Sequence, residues 1–181
     1  MQVTIPDPWR SFLRDVDHAL EQQVVVHCLG GFVLSVMWAL PHPTGDVDII
    51  EVEPSAAVAN LLSVGGEGSV LSERYHLRFH DVTIAEYPSD YASRVVDITP
   101  VEFRRLRLLA LEVHDLALAK LSRNSQRDRE DIAYLVSKGA LQRQTLRERF
   151  DTELKPYLLN EQRETFTLDL WLEEFFPAES R

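Results

Sequence analysis

Apolar and polar positions divide the chain into a first part, in which short strands alternate with helices, and a second part that is mostly helical. Near the start, apolar residues recur at helical intervals between Trp9 and Leu20, which predicts an amphipathic helix. Alternating or β-branched apolar runs predict strands over 23–29, 45–52, 76–85 and 95–98. Residues 105–111 fit either a strand or a helix start, and we choose the strand because residues 113–115 suit the entry to a new helix. Helical spacing predicts helices over 31–40, 54–64 and 69–75 between these strands.

Residues 113–181 show helical spacing almost throughout. The spacing predicts helices over 115–123, 125–137 and 157–176, and one that begins at Thr145 with Glu148 at capping-box distance. This order predicts an α+β fold, in which a small mixed β-sheet is flanked by helices and followed by a C-terminal helical region. We place the α/β core in residues 1–112 and the helical region in residues 113–181, and we expect the two to share a core and a cleft.

Two glycines and two acids carry the clearest chemical pattern. Gly30 and Gly31 stand where an apolar strand meets the next helix, and backbone N–H groups at such a helix start bind phosphate. Asp46 and Asp48 lie two apart in a strand, so their carboxylates share one face while Val47 faces the core. Adjacent carboxylates repel each other, and Mg²⁺ held together with substrate phosphates relieves that repulsion. The sequence therefore predicts a metal–nucleotide site.

Each half of this pattern also has a purely structural interpretation. Paired acids at a strand edge discourage aggregation. A Gly-Gly pair also suits an ordinary tight turn, although a tight turn is also what lets the backbone approach a phosphate. Both interpretations therefore remain open for the glycines.

Composition narrows the class of protein. The chain has 181 residues and a formal net charge of −10, which argues against general nucleic-acid binding through a basic surface. Basic residues outnumber acidic ones between 101 and 150, which fits either a local lining for phosphates or a solvated helical surface. The single cysteine, Cys28, excludes an intramolecular disulfide. With no long apolar stretch and no secretion-signal pattern, we expect a cytoplasmic protein without a membrane partner.

A resemblance to a known family rests on two segments. Gly30-Gly31, a short helix and then Asp46-Val47-Asp48 resemble the signature of the DNA polymerase β-like nucleotidyltransferase superfamily. The segment looks like the minimal bacterial branch, near the abortive-infection and type IV toxin-like nucleotidyltransferases. That branch commonly carries a later lysine followed by an Arg-x-x-Asp or Asp-x-x-Asp element. Here Lys120, Asp128 and Asp131 match it, so the resemblance covers residues 24–140.

The resemblance implies a Mg²⁺-dependent enzyme, with Mn²⁺ as the other candidate ion. Such an enzyme transfers a nucleoside monophosphate from an NTP such as ATP to an RNA, protein or small-molecule hydroxyl and releases pyrophosphate. By the same resemblance Asp46 and Asp48 bind the metal, and a third carboxylate should lie on a later strand. Asp81 is our choice for this third ligand, and also for the base toward the acceptor hydroxyl. Glu86 is the alternative, although Pro88 suggests that the strand ends there.

The remaining roles follow from the same resemblance. Gly30 and Gly31 would cradle the β- and γ-phosphates, and Thr44 beside the acid pair would bind the nucleotide. Lys120 would neutralise the triphosphate, and Asp131 would orient either the ribose or that lysine. The structural alternatives are a solvated lysine and an acid that compensates the helix dipole.

Partners and rival functions remain open at this point. The acceptor would be a tRNA end, a protein hydroxyl or a small aminoglycoside-like alcohol. A toxin–antitoxin or phage-defence role would add an antitoxin partner or a homodimer. The alternative function is a catalytically inactive nucleotidyltransferase-like binding or regulatory module. An Asp81 side chain that points away from the acid pair would favour this alternative. An Asp-x-Asp glycosyltransferase would need a larger nucleotide-binding sheet before its acids.

Overall fold

A computed structural model describes residues 3–40 and 44–176 of the chain. Two compact units emerge, and the first runs to Ile84 and takes in Val95–Leu111. The second comprises Ala85–Arg94 and the chain from Glu112 onward. The predicted α+β class, with a small mixed sheet flanked by helices, is confirmed.

The first unit contains the sheet and four helices of the described residues. Its helices are α1 (Trp9–Ala19), α2 (Gly30–Trp38), α3 (Val58–Gly65) and α4 (Val70–Tyr75). Its strands are β1 (Val24–Leu29), β2 (Asp46–Glu53), β3 (Arg78–Asp81), β4 (Val96–Asp97) and β5 (Leu106–Ala110). The strand order is β3-β2-β1-β5-β4, with β1 antiparallel to β2 and parallel to β5. Strand β2 therefore lies between β1 and β3, and β3 runs parallel to it.

A one-residue bulge sets the phase of β2. In its pairing with β1, Cys28 lies opposite Ile49 and His27 lies opposite Glu51, so Ile50 is the extra residue. The sequence reads Asp-Val-Asp-Ile before the bulge and Glu-Val-Glu after it. Because the bulge absorbs one residue, the apolar positions of both segments point to the core and their acids share the other face.

One buried acid ties α1 to β5. Asp17 is 2% exposed, and its Oδ1 atom accepts hydrogen bonds from the backbone N–H groups of Arg104, Arg105 and Leu106 at 3.0, 2.7 and 2.7 Å. Hydrogen bonds to a carboxylate are charge-assisted and stronger than hydrogen bonds between neutral groups. Asp17 therefore fixes where β5 begins.

The second unit is helical in its described residues. It contains α5 (Val113–Leu118), α6 (Gln126–Ser137), α7 (Arg143–Arg149) and α8 (Glu161–Phe175), with a π-helical turn at Phe150–Leu154. Ser125 and Asp128 form a capping box at the start of α6. The prediction that Thr145 opens a helix was wrong, because α7 begins at Arg143 after Gln142. No described helix combines the length and the apolar composition that crossing a bilayer requires.

Candidate functional site

The acid pair lies on the open face of β2. Val47 and Ile49 are fully buried, whereas the side chains of Asp46 and Asp48 are 36% and 25% exposed. This is the alternation expected of a strand with one face in the core. The two carboxylates are therefore held by rigid backbone with solvent access from one side.

The glycine corner, formed by Gly30 and Gly31 at the start of α2, lies directly against Asp48. Gly30 has φ +79°, in the left-handed region that favours glycine, and a Cβ placed on it would lie 2.3 Å from Asp48 Oδ2. A Cβ placed on Gly31 would lie 3.3 Å from Thr44 Cβ. The structure therefore brings Gly30, Gly31, Thr44 and Asp48 together at the start of α2.

The start of α2 is suited to an anion. Its N-cap residue is Leu29, whose side chain has no acceptor for the first N–H groups of the helix. Unpaired N–H groups and the positive end of the helix dipole attract phosphate. Thr44 stands beside this start, with its hydroxyl oxygen 3.4 Å from the backbone nitrogen of Asp46. A helix start with the features of an anion binding site thus adjoins the carboxylate of Asp48 in the first unit.

Two basic residues of β3 meet the acid pair, and the sequence reasoning did not assign them. Arg78 lies opposite Asp46, and its Nε donates to Asp46 Oδ1 at 2.7 Å. His80 lies opposite Asp48, with Nδ1 2.9 Å from Asp48 Oδ1. The hydrogen bond to Asp46 and its negative charge raise the pKa of Arg78. The signal was present in the sequence as a second alternation, Arg-x-His, in a strand that had been predicted.

The structure does not bring Asp81 beside the acid pair. Asp81 lies opposite Ile49, which is buried, whereas its neighbour His80 lies opposite Asp48. Since successive side chains of a strand alternate between faces, Asp81 belongs to the face away from the carboxylates. Asp81 is one residue away from His80, which lies opposite Asp48, so the Asp81 side chain belongs to the other face.

Glu86, the alternative third carboxylate, lies beyond the end of β3 and belongs to the second unit. It accepts a hydrogen bond from the Ser122 hydroxyl. Burial and the nearby negative charge of Glu164 raise the pKa of Glu86.

The donor set near Gly30 fits a hard divalent ion in a limited way. Mg²⁺ binds through one or two carboxylates together with waters and substrate phosphates. Asp46 and Asp48 can provide the two carboxylates. Within residues 3–40 and 44–176, no group of three or more His, Cys, Asp or Glu side chains is placed to hold a metal ion. Asp46 and Asp48 therefore supply two ligands, and waters or a phosphate would complete the coordination of the ion.

Lys120 and Asp131 meet in the second unit. Lys120 Nζ lies 2.8 Å from Asp131 Oδ2 and 3.1 Å from Asp128 Oδ1, and all three residues are buried. Burial works against the charge on Asp128, but hydrogen bonds from Arg123 and Ser125 hold the pKa of Asp128 well below its usual range. Asp131 Oδ1 is buried without a hydrogen-bond partner among the described residues. Lys120 is thus not a solvated lysine.

A second charged cluster surrounds the start of α5. Glu112 caps α5 through the backbone nitrogen of His114, and its carboxylate also contacts His114 Nδ1 and Arg149. The fully buried Asp115 accepts from Arg149 and Arg94 at 2.9 and 3.0 Å. Arg94 and Arg149 are far in sequence from the Glu112–Asp115 segment that they contact, so no local pattern indicated the cluster.

Acid is expected to weaken the second unit through Glu112. Burial opposes its charge, but hydrogen bonds from His114 and Arg149 lower the pKa of Glu112 from 4.5 to about 2. A lowered pKa adds stability that is fully present above the unfolded-state value and is lost as the pH falls toward the folded-state value. Between pH 4.5 and pH 2 the wild type should lose roughly 2 kcal/mol of unfolding free energy through this group.

Urea denaturation followed by circular dichroism at several pH values checks this expectation. The Glu112→Gln variant should be less stable at neutral pH and lose less stability on acidification. Glu148→Gln, which changes an exposed acid on α7, is the matched control and should follow the wild type. Parallel pH profiles for the wild type and Glu112→Gln would contradict the assignment.

Of the comparisons with known proteins, the one with protein families gives a match. The model of a family described as "Nucleotidyltransferase of unknown function (DUF6036)" matches residues 11–176. No curated protein and no solved structure matches the chain.

Proposed function

Because the chain belongs to the family described as nucleotidyltransferase of unknown function, we propose that it transfers a nucleoside monophosphate from a Mg²⁺-bound NTP to a hydroxyl acceptor. The observation that carries this proposal is the contact between the glycine corner and the acid pair. A Cβ on Gly30 would lie 2.3 Å from Asp48 Oδ2, so a phosphate bound at the corner would adjoin the carboxylates. Phosphoryl transfer needs this combination, because it depends on positioning and charge stabilisation.

In this proposal Asp46 and Asp48 would hold the metal ion. When bound, the ion would neutralise charge that develops on the transferring phosphate and its leaving group. The N–H groups at Gly30 and Gly31 would bind the β- and γ-phosphates, with the Thr44 hydroxyl beside them. The proposal does not depend on Asp81 or Glu86.

Lys120 and Asp131 lie in the second unit, and their roles stay predictions that rest on the resemblance. The resemblance gives Lys120 the role of a point charge for phosphate, which suits a compact ammonium group. Of the two roles open for Asp131, the 2.8 Å contact with Lys120 Nζ supports orientation of the lysine. The acceptor would be an RNA, a protein or a small alcohol. A toxin-like or phage-defence role, with an antitoxin partner or a homodimer, rests on the branch resemblance alone.

One observation favours a second candidate function, an inactive module that binds without transferring. Asp81 belongs to the face away from the acid pair, and within the described residues no third carboxylate is placed to hold a metal ion together with Asp46 and Asp48. Arg78 and His80 instead contact the two acids. A protein that has lost transfer could keep such a site for regulation or for binding a partner.

Thermal unfolding with each NTP tests both candidates. For the transferase, one NTP at about 100 times its Kd in Mg²⁺ should raise Tm by roughly 5–10 °C. The same NTP with chelator, and Mg²⁺ alone, are the controls. An NTP radiolabelled at the α-phosphate should then transfer label to total RNA, to protein or to a small alcohol. A shift without transfer supports a binding module. The absence of both the shift and the transfer would contradict the transferase.

A further inference from the structure

The carboxylate of Asp46 already has a cation as its partner. Arg78 Nε donates to Asp46 Oδ1 at 2.7 Å, and the register of β2 and β3 places the two residues side by side. A divalent ion bound to the same carboxylate would lie within a few ångströms of the guanidinium. Two positive charges at that distance repel each other strongly wherever water does not screen them fully. Metal binding at Asp46 therefore competes with Arg78.

Arg78 has a second carboxylate to which it can move. Its Nη1 atom donates to Glu67 Oε1 at 2.8 Å, and the Glu67 side chain is 81% exposed. A cavity of about 380 Å³ adjoins the pair and is lined by Asp46, Glu67, Gly68 and Arg78 among others. The guanidinium can thus leave Asp46 without losing its other ion pair. An ion pair between partly exposed groups is weak enough for a divalent ion to displace Arg78 from Asp46.

We propose that Arg78 is a positioning residue that holds Asp46 in the metal-free protein and releases it to the metal, with Glu67 retaining the guanidinium. This inference rests on the proposed function, because it takes Asp46 and Asp48 as the metal ligands. Arg78 then lowers the affinity of the nucleotide-free protein for divalent ions. Glu67 acts in the opposite direction, because it draws Arg78 away from Asp46.

Mn²⁺ titration of the nucleotide-free full chain, followed by the electron paramagnetic resonance signal of free Mn²⁺, tests this exchange. Arg78→Gln should bind Mn²⁺ about fivefold more tightly or better, the factor that corresponds to an ion pair between partly exposed groups. Arg78→Lys keeps the charge and should stay near the wild type. Arg107→Gln is the matched control, since Arg107 makes the equivalent contact with Asp97 at 3.0 Å.

A second variant tests the opposite sign. Glu67→Gln should weaken Mn²⁺ binding. Arg78 then loses the carboxylate of Glu67 and stays on Asp46, where it competes with the ion. Glu73→Gln removes the same charge from the wall of the same cavity and should have a smaller effect. This pair keeps the inference testable if Arg78→Gln folds poorly.

The outcomes separate this inference from the proposed function. If Arg78→Gln and Glu67→Gln bind Mn²⁺ like the wild type while Asp48→Asn binds it more weakly, Arg78 has no such role and the metal assignment stands. If neither Asp46→Asn nor Asp48→Asn changes Mn²⁺ binding, the metal assignment fails and this inference fails with it. Loss of the Arg78→Gln gain in the double variant with Asp46→Asn would show that the effect acts through Asp46.

Discussion

Replacing Asp48 with asparagine is expected to lower nucleotide transfer by at least about 100-fold, since even residues behind metal ligands cost 10–100-fold when changed. Asparagine keeps the size of the side chain but removes the negative charge that would bind the metal. Asp48 is a quarter exposed and lies on the open face of β2, so the fold should tolerate the change. The measurement is label transfer from the NTP that gives the largest thermal shift.

The matched control for this variant is Asp97→Asn. Asp97 also lies on a strand of the first unit and contacts one basic side chain, Arg107, much as Asp48 contacts His80. Asp97→Asn should transfer label at close to the wild-type rate. Equal activity of Asp48→Asn and the wild type, with both proteins folded, would show that Asp48 is not a catalytic residue.

Gly30→Ala is expected to abolish transfer and to destabilise the first unit by roughly 2–4 kcal/mol, the sum of a left-handed backbone penalty and a steric clash. At φ +79° an alanine is strained, and its Cβ would lie 2.3 Å from Asp48 Oδ2. The clash falls on the carboxylate itself, so relief of the clash must move Asp48. Chemical denaturation and label transfer measure the two effects separately.

Gly68→Ala separates backbone strain from the clash. Gly68 has φ +75°, but a Cβ placed there has no atom within 4 Å among the described residues. This variant should lose only about 1–2 kcal/mol, the backbone penalty alone, and keep its transfer activity. If Gly30→Ala behaves like Gly68→Ala in both measurements, the close approach of Gly30 to Asp48 does not affect stability or transfer.

Local patterns predicted the elements that carry the candidate site. The two-residue alternation of β2 placed Asp46 and Asp48 on one face, and the Gly-Gly pair marked the start of α2. These features depend on neighbouring residues alone, so the sequence suffices for them. The contact between Gly30 and Asp48 needed the sheet, because Gly30 directly follows β1, Asp48 lies in β2, and the pattern does not specify that these strands pair.

Long-range contacts explain the features that the sequence did not reveal. The run after Asp81 has strand composition, yet β3 ends there and Ile84 is 90% exposed. Strand preference is realised only where a partner strand is available. Similarly, the backbone nitrogen of Gln142 donates to His114 Nε2 just before α7. That contact favours a helix start two residues before Thr145, which local capping rules had selected.

The extra residue at Ile50 also limits how this strand can vary in length. Without this extra residue, and with the pairing through Glu51 unchanged, the preceding segment of β2 would turn its opposite face toward the core. Val47 would then face water, and Asp48 would enter the apolar interior. A variant that gains or loses one residue within β2 must therefore compensate elsewhere in the same strand, whereas substitutions that keep the Ile-Ile doublet leave the carboxylates outside.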